Sequence, residues 1–86
     1  MGKVKLDRFL PKVPDKAVFI PEGDSTYAMV SRRLGPAFQV KGVWSFGLRF
    51  LLIYAVRRDG KDFRFVYDWF SGDLSLGWDN LGGGKA

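Results

Sequence analysis

The chain has 86 residues, is 47% hydrophobic and carries 14 Lys and Arg residues against 9 Asp and Glu residues, which gives a net charge of +5. This length predicts one small domain spanning residues 1–86. Cys and His are both absent, which excludes disulfides, thiolate metal sites and histidine-based catalysis, so we expect no metal, no cofactor and no catalytic residue.

Nothing in the chain predicts secretion or membrane insertion. The N-terminus alternates charged with apolar residues, and the longest apolar run, residues 50–56, is too short to cross a bilayer. We therefore expect a cytoplasmic protein. The single Asn and single Gln, beside the missing Cys and His, favour a thermophilic source.

The first 20 residues predict an arm followed by a short strand. Residues 1–16 are rich in Lys and Arg, and Pro11 and Pro14 prevent a continuous helix there. We expect a partly extended basic arm. Ala-Val-Phe-Ile at residues 17–20 predicts the short strand, which a Pro-Glu-Gly turn closes.

Residues 25–34 predict one short helix. Asp24 is a suitable N-cap, and Tyr27, Val30 and Leu34 recur at helical spacing. The Gly-Pro pair at residues 35–36 is a stop signal. Ten residues form a marginal helix in isolation, so this one must pack against other elements.

The second half of the chain predicts an antiparallel meander. Apolar alternation and turn residues place strands at about residues 37–44, 48–57, 62–70 and 74–78, with a flexible glycine-rich tail at residues 81–86. The expected fold class is α+β. The helix covers one face of the sheet in a two-layer sandwich, or the sheet curls into a partial barrel.

Three turns predict the register of this sheet. Asp59-Gly60 suits a two-residue hairpin loop, residues 45–47 suit a three-residue loop, and Ser71-Gly72 suits another two-residue loop. These loops pair Tyr54 with Phe65, Trp44 with Leu48 and Tyr67 with Leu76. The aromatic side chains then share one inner face, with Trp44, Trp69 and Trp78 the rings most exposed near the strand ends.

The net positive charge favours a polyanionic partner, and nucleic acid is the first functional hypothesis. Its phosphate contacts are expected to be largely independent of sequence, with DNA and RNA both open. The residues expected to bind nucleic acid are Lys3, Lys5, Arg8, Arg32, Arg33, Lys41, Arg49, Arg57 and Arg64.

Two alternatives come from the predicted outer face of the sheet. Its apolar centre, ringed by cations, resembles an interaction surface, and it predicts a homodimer interface. The interface residues are Leu51, Ile53, Val66 and Phe70. The other alternative is a small histidine-free ribonuclease in which Arg49, Arg57, Arg64 and Tyr54 stabilise charge on phosphate.

Overall fold

The computed structural model describes residues 12–78, and it confirms the predicted α+β fold with an antiparallel meander. Five strands form an open sheet in chain order, and one helix packs on it. Most of the predicted basic arm and the predicted tail lie outside the described residues. The elements are β1 (Val18–Phe19), α1 (Ser25–Leu34), β2 (Phe38–Phe46), β3 (Phe50–Arg57), β4 (Asp62–Asp68) and β5 (Leu74–Leu76).

Helix α1 begins and ends where the sequence predicts. The carboxylate of Asp24 accepts a hydrogen bond from the backbone N–H of Thr26 at 2.9 Å, which satisfies one of the unpaired donors of the first turn. At the other end, the N–H of Gly35 donates to the carbonyl of Ser31, with Gly35 at a φ of 92° that favours glycine. The helix buries Val30 against the sheet.

The β3–β4 turn is one residue longer than predicted. The N–H of Arg57 donates to the carbonyl of Lys61 at 2.8 Å, which leaves a three-residue loop, residues 58–60. A two-residue type I′ loop needs positive φ at both central residues. Only Gly60 has it, with φ 91°, and no described residue other than glycine has a positive φ. The carboxylate of Asp59 instead accepts hydrogen bonds from the side chain of Arg57 and from the backbone N–H of Lys61, the two residues that flank the loop.

This extra loop residue makes the predicted register of β3 and β4 wrong by one. Ile53 pairs with Phe65, and Tyr54 pairs with Arg64. Side chains alternate between the two faces of a strand. A shift of one residue therefore places the other set of β3 side chains on the same face as the aromatic residues of β4. Ile53 therefore lies on the helix side, and Tyr54 lies on the opposite side.

The other two loops also differ from the predicted ones, and the differences change the partners of Trp44 and Tyr67 while preserving the face on which each of these two side chains pairs. The β2–β3 loop consists of residues 47–49 and not 45–47, and the β4–β5 loop consists of residues 69–72 and not 71–72. The observed pairs are Trp44 with Leu52 and Tyr67 with Leu74.

The sheet is covered on both faces, so the protein has two apolar clusters. The helix-side cluster contains Val30, Val43, Leu51, Ile53 and Ala55. The opposite cluster contains Trp44, Leu52, Tyr54, Val66 and Trp78, with Val13 and Ala17 packed against it. Trp44 and Trp78 are thus buried, contrary to their predicted exposure, and the indole N–H of Trp78 donates to the carbonyl of Phe65 at 2.9 Å.

A bulge in β2 lets this strand supply side chains to both clusters. The register with β3 shifts between Val40 and Gly42. Val40 therefore packs on the helix side, while Trp44 packs on the opposite side. Gly42 faces Tyr54 and makes room for Trp44, because a Cβ at Gly42 would lie 2.6 Å from the indole Cη2.

We expect Gly42→Ala to destabilise the fold by roughly 1–3 kcal/mol through overpacking. The Trp44 ring cannot move away freely, because Phe19 and Trp78 hold it edge to face at 5.7 and 5.5 Å. Urea unfolding followed by circular dichroism measures the change. Gly23→Ala is the matched control, since nothing lies within 4 Å of a Cβ there. Equal stability of the two variants would contradict this packing.

Candidate functional site

The end of helix α1 is connected to both ends of the sheet by arginine side chains. Arg58, in the β3–β4 loop, donates from its backbone N–H to the carbonyl of Ala37 and from Nε to the carbonyl of Pro36, at 2.9 and 3.1 Å. Arg33, in the last helical turn, donates from a terminal nitrogen to the carbonyl of Gly72 at 2.8 Å. One arginine of the helix is therefore bonded to the backbone of the β4–β5 loop, and one arginine of the β3–β4 loop is bonded to the backbone that follows the helix.

We call the four arginines at the helix end and at the end of β3 on the helix side, Arg32, Arg33, Arg57 and Arg58, the basic track. Arg57 lies with its guanidinium 4.9 Å from the centre of the Phe63 ring and forms an ion pair with Asp59 at 2.7 Å. The carboxylate raises the pKa of Arg57, and the guanidinium lowers the pKa of Asp59. The charge of Arg57 is thus partly compensated within the loop.

Not all the residues predicted to bind nucleic acid lie on this track. Arg64 is exposed on the sheet face that points away from the helix, and Lys41 is exposed at the bulge of β2. Arg49 lies at the opposite end of β3 from Arg57. Lys3, Lys5 and Arg8 lie outside the described residues.

Arg58 was missed by the reasoning from sequence, although the sequence carries a signal for it. Residues 25–58 contain no Asp or Glu, and Arg58 closes this acid-free stretch. The stretch holds six of the chain's cations: Arg32, Arg33, Lys41, Arg49, Arg57 and Arg58. Counting acids along the chain, in addition to cations, would have placed Arg58 among the candidates.

The β4–β5 loop presents two exposed aromatic rings. We call residues 69–72 the aromatic loop. Trp69 is 48% exposed and Phe70 is 74% exposed. The guanidinium of Arg49 lies 5.0 Å from the centre of the Phe70 ring, and the backbone N–H of Trp69 donates to the carbonyl of Arg49 at 2.8 Å. With Arg33 bonded at Gly72, an arginine contacts the loop at each end.

Asp68 holds the aromatic loop in shape. Its carboxylate accepts three hydrogen bonds from the guanidinium of Arg49, at 2.9, 3.0 and 3.1 Å, and further bonds from the backbone N–H groups of Phe70 and Ser71. These donors favour the charged carboxylate, with Arg49 contributing most, and they lower the pKa of Asp68 from 3.8 to about 2.

We expect the loop to lose stability in acid as Asp68 is protonated. Because the pKa of Asp68 is lower in the folded state, its contribution is complete above pH 3.8 and is lost as the pH falls towards about 2. Carboxyl ¹³C NMR measures the midpoint directly. The expected value is about 2, and a midpoint near 3.8 would contradict the bonding described. Asp68→Asn should broaden the amide signals of Phe70 and Ser71, whereas Asp73→Asn should not.

The residues of the predicted dimer interface do not form one surface. Leu51 and Ile53 are each 1% exposed beneath the helix, and Val66 is buried in the cluster on the other face. Of the four residues, Phe70 alone is exposed. The one-residue difference in register explains this outcome, because it turns Leu51 and Ile53 towards the helix.

The residues of the predicted ribonuclease site do not converge either. Arg49 precedes β3 and Arg57 ends it, which separates them by roughly 25 Å of extended chain. Each is bonded to a carboxylate. Tyr54 is buried, its hydroxyl donates to Asp62 at 3.0 Å, and burial is the main cause of its raised pKa.

Comparisons with protein-family models, curated proteins and solved structures give no match. No helix among residues 12–78 is long and apolar enough to cross a membrane. The same part of the chain contains no group of three or more acidic residues placed to hold a metal ion.

Proposed function

We propose that this protein binds nucleic acid through the basic track, mainly by sequence-independent contacts to phosphate. The observation that carries the proposal is the attachment of Arg58 to the segment that follows the helix. This attachment joins the cations of the β3–β4 loop to those of the helix end, and it fixes Arg58 through one side of its guanidinium.

The bonding of these arginines leaves donors for a ligand. Arg58 uses Nε on the carbonyl of Pro36, and its two terminal nitrogens donate to no described residue. The side chain of Arg32 forms no hydrogen bond or ion pair with residues 12–78 and is exposed in the last helical turn. Guanidinium groups bind phosphate oxygens with paired N–H donors, and a guanidinium already held in place loses less entropy on binding.

The balance of charge supports an anionic ligand for this side of the molecule. Residues 12–78 contain ten Lys and Arg residues against seven Asp and Glu residues. Within this part of the chain the ion pairs formed are Arg49 with Asp68 and Arg57 with Asp59, so Arg32, Arg33 and Arg58 of the track keep uncompensated charge. A partner with regularly spaced phosphates matches several fixed cations at once.

We expect Arg58→Ala to weaken binding to a fluorescently labelled 20-nucleotide DNA and to reduce the salt dependence of the affinity by about one phosphate contact. Fluorescence anisotropy from low to moderate salt measures both quantities. Arg64→Ala is the matched control, because it removes the same charge from the opposite face. The control should leave the salt dependence unchanged.

Two outcomes of this experiment would contradict the proposal. Absence of binding at low salt would remove nucleic acid as the ligand. Equal weakening by Arg58→Ala and Arg64→Ala would show that net charge alone attracts the polymer, and that the basic track is not its binding site.

The structure also favours a second candidate function, self-association through the edge strand β1. Val18 and Phe19 are 62% and 57% exposed, and β1 is an outer strand of the sheet formed by the described residues. Beside it lies an apolar groove of about 610 Å³ whose lining includes Val18, Leu48 and Phe50. We propose a second copy as the occupant, since two β1 edges can pair around a two-fold axis.

We expect sedimentation to give a mass of two chains at high concentration and Leu48→Asp to shift it to one. Leu48 is 95% exposed, so this substitution removes apolar contact without disturbing the core. Ile53→Asp is the contrasting variant, and it should unfold the chain because Ile53 is buried. A single-chain mass at every concentration would contradict self-association.

A further inference from the structure

We propose that the nucleic acid bound by this protein is single-stranded and that Trp69 and Phe70 stack against its bases. This inference rests on the proposed function and adds the class of polymer and a second region of contact. Its starting point is the aromatic loop, where two adjacent rings are exposed next to arginine side chains.

The rings are exposed on a loop that is already ordered. The N–H groups of Trp69, Phe70 and Gly72 donate to the carbonyl of Arg49, the carboxylate of Asp68 and the carbonyl of Asp68, at 2.8, 2.8 and 2.7 Å. Gly72 has a φ of 80°, which completes the reversal of the chain. Binding to such a loop requires little further ordering of the backbone.

The two rings are also supported from within the protein. Trp69 contacts Tyr67 edge to face, with ring centres 5.2 Å apart, and the guanidinium of Arg33 lies 5.4 Å from the centre of the Tyr67 ring. Arg49 lies beside Phe70 in the same manner. An aromatic ring next to a fixed cation offers a stacking surface and a positive charge at one point, as in proteins that bind single strands.

Single strands fit this loop better than duplexes for a geometric reason. In a duplex the faces of the bases are stacked on one another and the phosphates are outside, so an exposed ring finds no base to stack on. A single strand presents base faces and phosphates together. Trp69 and Phe70 would contact bases while Arg33 and Arg49 lie close to the backbone of the strand.

A bound strand would follow a path along the basic track to the aromatic loop, because the two meet at Arg33. Arg33 belongs to the track and bonds to Gly72 of the loop. Strand β4, with seven residues, separates the β3–β4 loop from the aromatic loop by roughly 23 Å. A path of this length suits the lower part of the range of about 4–16 nucleotides found for small single-strand-binding domains.

The intrinsic fluorescence of Trp69 tests the inference. Trp44 and Trp78 are 8% and 4% exposed, so Trp69 is the tryptophan accessible to a ligand. We expect a 12-nucleotide oligo(dT) to quench this emission, whereas a duplex of the same length and an abasic sugar–phosphate oligomer should bind more weakly and quench little.

Substitutions of the exposed rings distinguish the contribution of stacking to the affinity from the contribution of charge. We expect Trp69→Ala to weaken oligo(dT) binding by roughly 5- to 140-fold, which corresponds to ~1–3 kcal/mol per stacked base. Trp69→Phe should retain most of the affinity. Phe19→Ala is the matched control, because it removes an exposed ring from the opposite edge of the sheet.

The outcomes distinguish this inference from the proposed function. Equal binding of single strand, duplex and abasic oligomer, with no effect of Trp69→Ala, would overturn stacking and leave phosphate binding by the basic track in place. Absence of binding to all three polymers would overturn both proposals. Loss of affinity in Phe19→Ala equal to that in Trp69→Ala would also overturn the role of the aromatic loop.

Discussion

Strand β3 is covered on both of its faces, and the rest of the molecule is arranged around it. Residues 51–55 are all buried, alternately towards the helix and towards the opposite cluster. Since β3 pairs with β2 on one side and with β4 on the other, any shift in its register would move side chains of both clusters at once. The helix alone is too short to supply such a core, so β2 contributes to both faces through its bulge.

The turns that fix this register also position the cations. The three-residue loop between β3 and β4 holds Arg57 beside Asp59 and brings Arg58 to the carbonyls of residues 36 and 37. Asp68, at the end of β4, holds Arg49 and the backbone of the aromatic loop. The contacts that close the turns therefore also hold the guanidinium groups of Arg49, Arg57 and Arg58 in place.

The two ends of the molecule differ in their chemistry. The β3–β4 loop and the helix end carry arginines whose guanidinium groups keep N–H donors that bond to no described residue. The groove beside β1 is apolar and includes the almost fully exposed Leu48. In the two proposed functions, electrostatic attraction would act at the first surface and the removal of apolar area from water would act at the second. The basic track and the groove involve different residues, so the proposed phosphate binding by the track and self-association are compatible in one protein, whereas Arg49 lines the groove and also contacts the aromatic loop.

The sequence by itself determined the helix, the strands and the presence of three turns, because these follow from local chemistry. Asp24 caps the helix, Gly35 ends it, and a glycine with positive φ lies in each of the three loops that connect β2 to β5. Register was decided only by tertiary structure. Every residue from 50 to 56 is apolar, so alternation gave no preference for either face of β3, and Asp59-Gly60 fits loops of two or three residues. The burial of Trp44 and the partners of the arginines depend on that register, and so they too required the folded chain.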